Sequence, residues 1–253
     1  METFFNEHGT VTIYKNDLYI INEFKHNNYW DINVLLSLRE YINPQKDILE
    51  IGAHCGTSTI IYAKFLSDKN KVYAFEPQYN LYKLLKHNII QNCLQNKVDI
   101  FNKALFCFNG HCNMNNIDLD GGGGDVLKRY NEENDLPCNF GGICLGKDGE
   151  AVSSITIDDN LNYDNVGFIH CDAQGAENFI FSKAIKFVEK NRPVIFFENN
   201  AKYCNYLFEN VCNAYPQYKT DSEFDIVQYC MNKLKYSKYI PNFGGGIDDL
   251  LLP

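Results

Sequence analysis

Short hydrophobic runs recur along the chain, and most of them end next to an acidic residue. The runs cover residues 47–51, 71–77, 98–101, 166–171 and 193–197. Continuous runs of this length are typical of buried strands, and the stretches between them, such as 57–66 and 80–92, have the spacing of amphipathic helices. Strands that alternate with helices in this way predict an α/β fold with a parallel sheet built by right-handed crossovers.

The two ends of the chain predict smaller elements. Residues 11–14 and 18–21 favour an N-terminal hairpin, and residues 31–41 favour a helix that Asp31 could cap. Trp30, just before that helix, is expected to pack rather than to line a pocket. Residues 203–214 and 223–234 predict helices, and 239–240 with 247–252 predict an antiparallel hairpin. We therefore expect a hairpin-and-helix cap over residues 1–45 and one α/β domain over residues 46–253.

Residues 106–150 break this pattern. The segment is rich in Asn, Gly and charged residues, including four consecutive glycines at 121–124 and the sequence Asn-Phe-Gly-Gly at 139–142. A long run without periodicity inside a compact domain is usually a functional loop or lid, or is disordered. We predict an insertion on the substrate side of the domain. Turn formation explains Asn139 and Gly141 as well as contact with a ligand does.

The turn after the first predicted core strand has the chemistry of a nucleoside site. Gly52 and Gly56 let the backbone pass close to a ligand, and the first N–H groups of the following helix have no partner within that helix. Glu76 ends the next strand, where Rossmann-like folds hold ribose hydroxyls. His54 replaces a glycine of the dinucleotide pattern, and Glu50 would repel a pyrophosphate but attract a cation. The turn therefore favours S-adenosylmethionine over a dinucleotide.

Composition excludes several classes of protein. The chain has 253 residues, 45% of them hydrophobic, and a net charge of -9, with no Lys/Arg cluster that would offset repulsion from a nucleic acid. No signal peptide or long apolar run is visible, so a soluble, cytoplasmic protein without membrane contact is expected. The ten cysteines are then expected to be free thiols. No Cys-x-x-Cys motif occurs, and no metal site is predicted from spacing.

Six segments in register resemble the FkbM-like S-adenosylmethionine-dependent methyltransferases. They are residues 50–56, 74–77, 139–142, 157–158, 170–177 and 192–198. The resemblance implies a Rossmann-like class I methyltransferase fold, with a mostly parallel seven-stranded sheet, helices on both faces and a C-terminal antiparallel hairpin. It also implies S-adenosylmethionine as cofactor and O-methylation of a small-molecule or glycan hydroxyl, often of a sugar. His54, His170 and Gln174 replace the family's usual Asn, Lys and Glu.

The candidate site residues follow from the turn, the strand ends and this resemblance. Those expected to bind the cofactor are Glu50, Gly52, Ala53, His54, Gly56, Thr57, Ser58, Glu76, Pro77 and Ala104. The carboxyl ends of parallel strands share one edge of the sheet, which places Asp172 and Glu198 beside Glu50 and Glu76. We expect Asp172, with His170 nearby, to accept a proton or orient the acceptor, and Glu177 and Glu198 to shape its pocket. Alternatively, Asp172 caps the helix that begins near Gly175.

Other readings stay open at this point. An RNA ribose 2'-O-methyltransferase would share the sheet and the acidic strand ends, although the negative charge disfavours it. A protein that binds S-adenosylmethionine without turnover, as a partner for another protein, would explain the replaced His170 and Gln174. A homodimer is possible, and a divalent ion held by the clustered acids could assist the chemistry. If the acceptor were a nucleotide-sugar, the basic residues Lys128, Arg129 and Lys147 would be candidates to bind its phosphates.

Overall fold

The chain forms a central mixed sheet, two smaller sheets and surrounding helices. The computed structural model describes residues 1–121, 124–130 and 136–253. In these ranges the strands are β1 (Glu2–Asn6), β2 (Gly9–Ile13), β3 (Asp47–Ile51), β4 (Val72–Phe75), β5 (Val98–Phe101), β6 (Ala104–Leu105), β7 (Gly110–Met114), β8 (Leu145–Gly146), β9 (Ala151–Ile155), β10 (Val166–Cys171), β11 (Val194–Glu198), β12 (Lys238–Ile240) and β13 (Asp248–Leu252).

The helices are mostly short, and several of them follow a strand directly. They are α1 (Ile20–Lys25), α2 (Ile32–Leu38), α3 (Thr57–Phe65), α4 (Tyr79–Gln91), α5 (Val126–Arg129), α6 (Ile157–Asn160), α7 (Glu177–Ser182), α8 (Ile185–Asn191), α9 (Asn200–Tyr203), α10 (Asn205–Ala214), α11 (Lys219–Ser222) and α12 (Ile226–Gln228). Single 3-10 turns cover Arg39–Tyr41, Pro216–Tyr218 and Phe243–Gly245, and a π-helical turn covers Tyr229–Lys233. No helix among the described residues is long and apolar enough to cross a membrane.

The central sheet has seven strands in the order β12-β13-β11-β10-β3-β4-β5. The five consecutive strands β11, β10, β3, β4 and β5 pair in parallel. β13 pairs antiparallel with both β11 and β12. The predicted core strands and the predicted C-terminal hairpin are all present. The order reverses at β3, where the chain moves from one half of the sheet to the other, and that reversal opens a crevice at the carboxyl ends of β3 and β10.

Each face of the central sheet buries its own hydrophobic core. Ile48 and Leu49 are adjacent on β3 and fully buried, yet Ile48 packs with the N-terminal elements, α3 and α4, whereas Leu49 packs with α7, α8, α10 and the second sheet. Successive residues of a strand point to opposite faces, so an uninterrupted hydrophobic run is what a sheet covered on both sides requires. The sequence pattern and the layered architecture thus agree.

Residues 104–155 form a second sheet rather than a structureless insertion. β6, β9, β7 and β8 make four strands in that order, with β7 antiparallel to β9 and β8. Within 106–150 the described regular elements are β7, α5 and β8, so the predicted loop character was wrong at these elements and holds for the other described residues of the segment. β9 falls on residues 151–157, whose alternating pattern predicts an extended segment, whereas β7 and β8 have no such pattern. The second sheet is held by contacts with distant parts of the chain, because Phe106 packs against Phe179 and Tyr215. The glycines at 122 and 123 lie outside the described residues.

The N-terminal hairpin lies several residues earlier than predicted. β1 and β2 pair antiparallel, and the second predicted strand is instead the beginning of α1. The reason is Asp17, whose Oδ1 accepts hydrogen bonds from the backbone N–H groups of Ile20 at 2.7 Å and Tyr19 at 3.0 Å. A carboxylate that satisfies the free N–H groups at the start of a helix outweighs the β-propensity of the following residues.

Asn88 of α4 fastens this hairpin to the main domain. Its Oδ1 accepts from the backbone N–H of Thr12 at 2.9 Å, and its Nδ2 donates to the carbonyls of Thr12 at 3.0 Å and Cys55 at 2.7 Å. One buried carboxamide therefore connects β2, α4 and the turn after β3. This fixes the cap against the side of the crevice.

The single helix predicted after Gly175 is two helices, α7 and α8. Asp158 causes the break: its Oδ1 accepts from the N–H of Phe187 at 2.9 Å, and its Oδ2 accepts from that of Lys186 at 3.2 Å. A side chain distant in sequence thereby caps a new helix start. All ten cysteines are free thiols, as expected.

Candidate active site

A cavity of about 480 Å³ opens at the carboxyl ends of the parallel strands. Its wall includes residues that follow β3, β4, β10 and β11, residues of the turn at 139–143, and Trp30 and Asp31 of the N-terminal cap. This volume is typical of a pocket for a small molecule or cofactor, and the position is the one at which open α/β sheets bind ligands.

The glycine turn between β3 and α3 is sharply bent. Gly52 has φ +83°, His54 has φ +51° and Gly56 has φ +91°. A methyl group on Gly52 would overlap the backbone oxygen of Asp172 and lie 2.9 Å from its carbonyl carbon, and one on Gly56 would lie 2.6 Å from Leu85 Cδ1. These two glycines are thus required by the packing of the turn against β10 and α4, whereas the sequence suggested close approach to a ligand.

Glu76 lies at the end of β4, on the cavity wall, as predicted. Its Oε2 accepts from the backbone N–H of His54 at 2.9 Å, and its Oε1 accepts from that of Gln78 at 2.8 Å. Burial raises the pKa of Glu76 to about 8, although both hydrogen bonds act in the opposite direction. The carboxyl group keeps further acceptor capacity, so it can still accept hydrogen bonds from ribose hydroxyls.

Glu50 lies behind the cavity wall. It is fully buried, its Oε1 accepts from Ser58 Oγ at 2.5 Å, and its Oε2 accepts from Thr59 Oγ1 at 2.6 Å. The Nδ1 atom of His170 is 3.8 Å from Oε1, too far for a hydrogen bond but close enough for charge attraction. Burial lowers the pKa of His170, but Glu50 raises it and prevails. Glu50 therefore fixes α3 and His170, and it is not positioned to contact a cofactor directly.

Carboxylates dominate the wall formed by β10, β11 and β13. Asp172, Glu198 and Asp248 all line the cavity, and Gln174 Nε2 donates to Asp172 Oδ1 at 2.6 Å and to Glu198 Oε2 at 3.0 Å. Burial, reinforced by the charge of Asp172, raises the pKa of Glu198 well above its usual range and that of Asp248 to about 7. The Gln174 amide joins two acids that would otherwise repel each other, which explains why Gln in place of Glu suits this chain.

The alternative role of Asp172 as a helix cap is not seen, because α7 begins at Glu177 after Ala176 and Asp172 bonds to Gln174 instead. Glu177, by contrast, does not line the cavity, and its predicted part in shaping the acceptor pocket stays a prediction. It is buried, and its Oε1 accepts from the N–H of Ala173 at 2.9 Å while its Oε2 accepts from that of Gly175 at 3.1 Å. Its role is to hold the loop that carries Asp172.

His54 lines the cavity with a ring whose polar atoms make no hydrogen bond to the described residues. Both of its ring nitrogens are buried, and neither has a hydrogen-bond partner among the described residues. Burial lowers the pKa of His54 to about 4, so the ring is neutral near pH 7, with one donor and one acceptor nitrogen. Buried polar atoms without partners carry a free-energy cost that a polar ligand can remove.

Most of the predicted cofactor residues face this cavity. Those on the wall are Gly52, His54, Thr57, Ser58, Glu76, Pro77 and Ala104, together with His170, Asp172 and Glu198 of the predicted catalytic set. Ala53 and Gly56 are buried behind it, as Glu50 is. The basic residues Lys128, Arg129 and Lys147 do not line it, so they offer no phosphate site there.

Sequence reasoning missed three residues of the wall. Asp31 has φ +51° and no capping hydrogen bond from its side chain, and it lines the cavity. Trp30 lines the cavity, against the expectation that it only packs, and Asp248 arrives from the last strand. An acid at the start of that strand was visible in the sequence, but nothing local connected it with β10.

The wall fits S-adenosylmethionine, because it combines a carboxyl group for ribose hydroxyls, apolar surface from Phe75 and Leu105, and acidic side chains such as Asp172 that attract a sulfonium. In the described part of the chain, no group of three or more His, Cys, Asp or Glu side chains could hold a metal ion. The mixed seven-stranded sheet, the crevice at its switch point and the acidic strand ends define a class I methyltransferase fold.

Comparison with known proteins identifies the family. Residues 50–215 match the methyltransferase FkbM domain. The chain therefore belongs to that family, the one indicated by the sequence motifs, whose cofactor is S-adenosylmethionine. This confirms the recognised family, the fold class and the cofactor. No curated protein matches the chain.

Several solved structures of methyltransferases align with the chain at low sequence identity and with TM-scores below 0.5. A methyltransferase FkbM from Methylobacillus flagellatus KT is 11% identical with a TM-score of 0.43, and the match covers 79% of this chain and 56% of that one. An O-methyltransferase from Bacillus cereus in complex with SAH is 15% identical with a TM-score of 0.42, over 87% and 79%. A putative O-methyltransferase from Klebsiella pneumoniae is 14% identical with a TM-score of 0.47, over 87% and 77%.

Proposed function

We propose that the protein transfers the methyl group of S-adenosylmethionine to a sugar hydroxyl of a small molecule or glycan. The observation that carries the proposal is the position of Asp172, a carboxylate on the cavity wall at the end of β10 that is held by Gln174 at 2.6 Å. A hydroxyl is a weak nucleophile until a base accepts its proton, and a fixed carboxylate at the wall supplies that base.

The chain's own residues perform two tasks in this reaction. S-adenosylmethionine supplies a methyl group bonded to a positively charged sulfur. Glu76 accepts hydrogen bonds from the ribose hydroxyls, which fixes the donor in the crevice. Asp172 accepts the acceptor's proton as the new oxygen–carbon bond forms and the carbon–sulfur bond breaks. Because both reactants are bound, much of the rate comes from their alignment.

The buried neighbours keep Asp172 in place. Glu177 accepts N–H groups on both sides of the loop at Ala173 and Gly175, and Gln174 donates to Asp172 and Glu198. His170 lines the same wall and is held by the charge of Glu50 at 3.8 Å. Asp172 is thus oriented by contacts that exist before the methyl acceptor binds, and this arrangement lowers the free-energy cost of reaching the transition state.

The cavity disfavours RNA as the acceptor. Asp172, Glu198 and Asp248 would face a phosphodiester backbone, and Lys103 is the sole Lys or Arg on the described wall. An RNA ribose methyltransferase would need a basic patch beside its active site. A neutral carbohydrate hydroxyl meets no such repulsion.

The test is transfer of a labelled methyl group to a panel of mono- and disaccharides, with Asp172→Asn as the variant. Turnover should fall about 100-fold, the usual contribution of a general base. Calorimetry with adenosylhomocysteine is the control, and the affinity should stay within about twofold of wild type. Full turnover of Asp172→Asn would contradict the assignment of Asp172. Cofactor binding without transfer to any acceptor would instead favour a non-catalytic binding protein.

A further inference from the structure

A second cavity, of about 590 Å³, lies beside the first on the N-terminal cap. The two share Trp30, Asp31 and Val34 as a common wall. A ligand whose reacting end enters the first cavity can therefore continue across Trp30 into the second. The second cavity is made by residues of the hairpin, α1 and the start of α2, together with Gly244.

Both cavities are acidic. The second is lined by Glu7, Glu23 and Asp31, and none of its described lining residues is Lys or Arg. The first is lined by Asp172 and Asp120, against Lys103, and also by Glu76, Glu198 and Asp248, whose pKa values burial raises. The sulfonium of the donor offsets one negative charge. The acids of the second cavity, with no Lys or Arg beside them on its described lining, repel a phosphorylated acceptor and attract a cation.

Two further observations point to a polar ligand at this wall. The buried ring nitrogens of His54 and the buried Nδ1 of His170, whose side chain is 12% exposed, have no hydrogen-bond partner among the described residues. Trp30, half-buried on the common wall, offers an indole face, the best side chain for holding an ammonium group and a flat surface for a sugar ring. Carboxylates around an indole suit a protonated amine better than a neutral polyol.

We propose that the acceptor is an amino sugar at least two residues long, whose hydroxyl reacts in the first cavity while a protonated amine lies at Trp30 and Asp31 and the rest occupies the second cavity. This rests on the proposed methylation of a sugar hydroxyl and adds the charge and length of the acceptor. Residues 1–45 then form the acceptor-binding part of the protein.

The chain provides its own probe, because Trp30 is its only tryptophan. The protein saturated with adenosylhomocysteine is titrated with a disaccharide of glucosamine, with its N,N'-diacetylated form and with glucosamine, and Trp30 fluorescence is followed. The disaccharide with free amines should bind about tenfold more tightly than the acetylated one, because acetylation removes the positive charges. It should also bind more tightly than the monomer. Equal affinity for the two disaccharides would refute the role of charge, and equal affinity for monomer and dimer would refute the second cavity.

Asp31→Asn is the matched variant, because Asn tolerates the φ of +51° at this position and the substitution is expected to retain the fold. It should reduce the preference for the free amine to about threefold or less. Glu40→Gln removes an exposed negative charge outside both cavities and should leave the preference unchanged. A preference that survives Asp31→Asn intact, or falls equally in Glu40→Gln, overturns the proposal. Amine-selective binding without methyl transfer would refute only the proposed reaction, and transfer to neutral sugars without amine selectivity would refute only this inference.

Discussion

Gly52→Ala tests whether the glycine turn is required by its backbone angles or by its contact with β10. Gly52 and Gly245 both have φ +83°, so alanine meets the same backbone strain at both, about 1–2 kcal/mol. Their surroundings differ. A methyl group on Gly52 overlaps the backbone oxygen of Asp172, whereas among the described residues no heavy atom lies within 4 Å of one on Gly245. Gly245→Ala is therefore the matched control.

The expected loss of stability depends on which atoms must move to make room for the methyl group. The backbone of Asp172 cannot retreat without lengthening the hydrogen bond from its N–H to the carbonyl of Ile51, now 3.0 Å. Overpacking of this kind typically costs about 1–3 kcal/mol beyond the backbone strain. We expect Gly245→Ala to lower the free energy of unfolding by about 1 kcal/mol, the size of the glycine effect, and Gly52→Ala to lower it by about 3 kcal/mol.

Urea denaturation followed by circular dichroism measures both changes, with an unchanged dependence on urea concentration as the check that the two-state description holds. Since the displaced atom belongs to Asp172, Gly52→Ala should also reduce methyl transfer in the fraction that stays folded. If the two variants were destabilised equally, backbone strain alone would explain the glycine, and the contact with Asp172 would carry no energy.

Three other substitutions test buried polar groups. Glu76 has a folded pKa of about 8 against an ordinary 4.5, so its contribution to stability is full below pH 4.5 and is lost as the pH rises to 8. The free energy of unfolding measured from pH 5 to 8 should therefore decrease, and Glu76→Gln should make the decrease smaller. Parallel pH curves for the wild type and the variant would contradict this. Glu177→Ala leaves the N–H groups of Ala173 and Gly175 without an acceptor and should cost about 2–3 kcal/mol in urea denaturation, with Glu177→Gln, which keeps one acceptor oxygen, losing less. Asn88→Ala removes three hydrogen bonds around the hairpin and should cost about 3 kcal/mol and hasten proteolysis within residues 1–13; protease resistance equal to wild type would refute its role.

The sequence determined the parts of this protein that depend on local pattern. The hydrophobic runs at 47–51 and 193–197 fall on β3 and β11, because a strand covered on both faces must be apolar along its length. The same pattern identified the glycine turn, the acid at Glu76 and the C-terminal hairpin. The order of motifs was enough to recognise the family, since motif order follows the order of strand ends.

Only the tertiary structure determined the position and role of each acidic residue. Asp172, Glu177 and Glu198 looked alike in the sequence, but the fold turns Asp172 and Glu198 into the cavity and buries Glu177 against its own loop. It also brought Asp31 and Asp248 from opposite ends of the chain to one wall. Side-chain direction and contacts between distant segments depend on how whole elements pack, and no local periodicity carries that information.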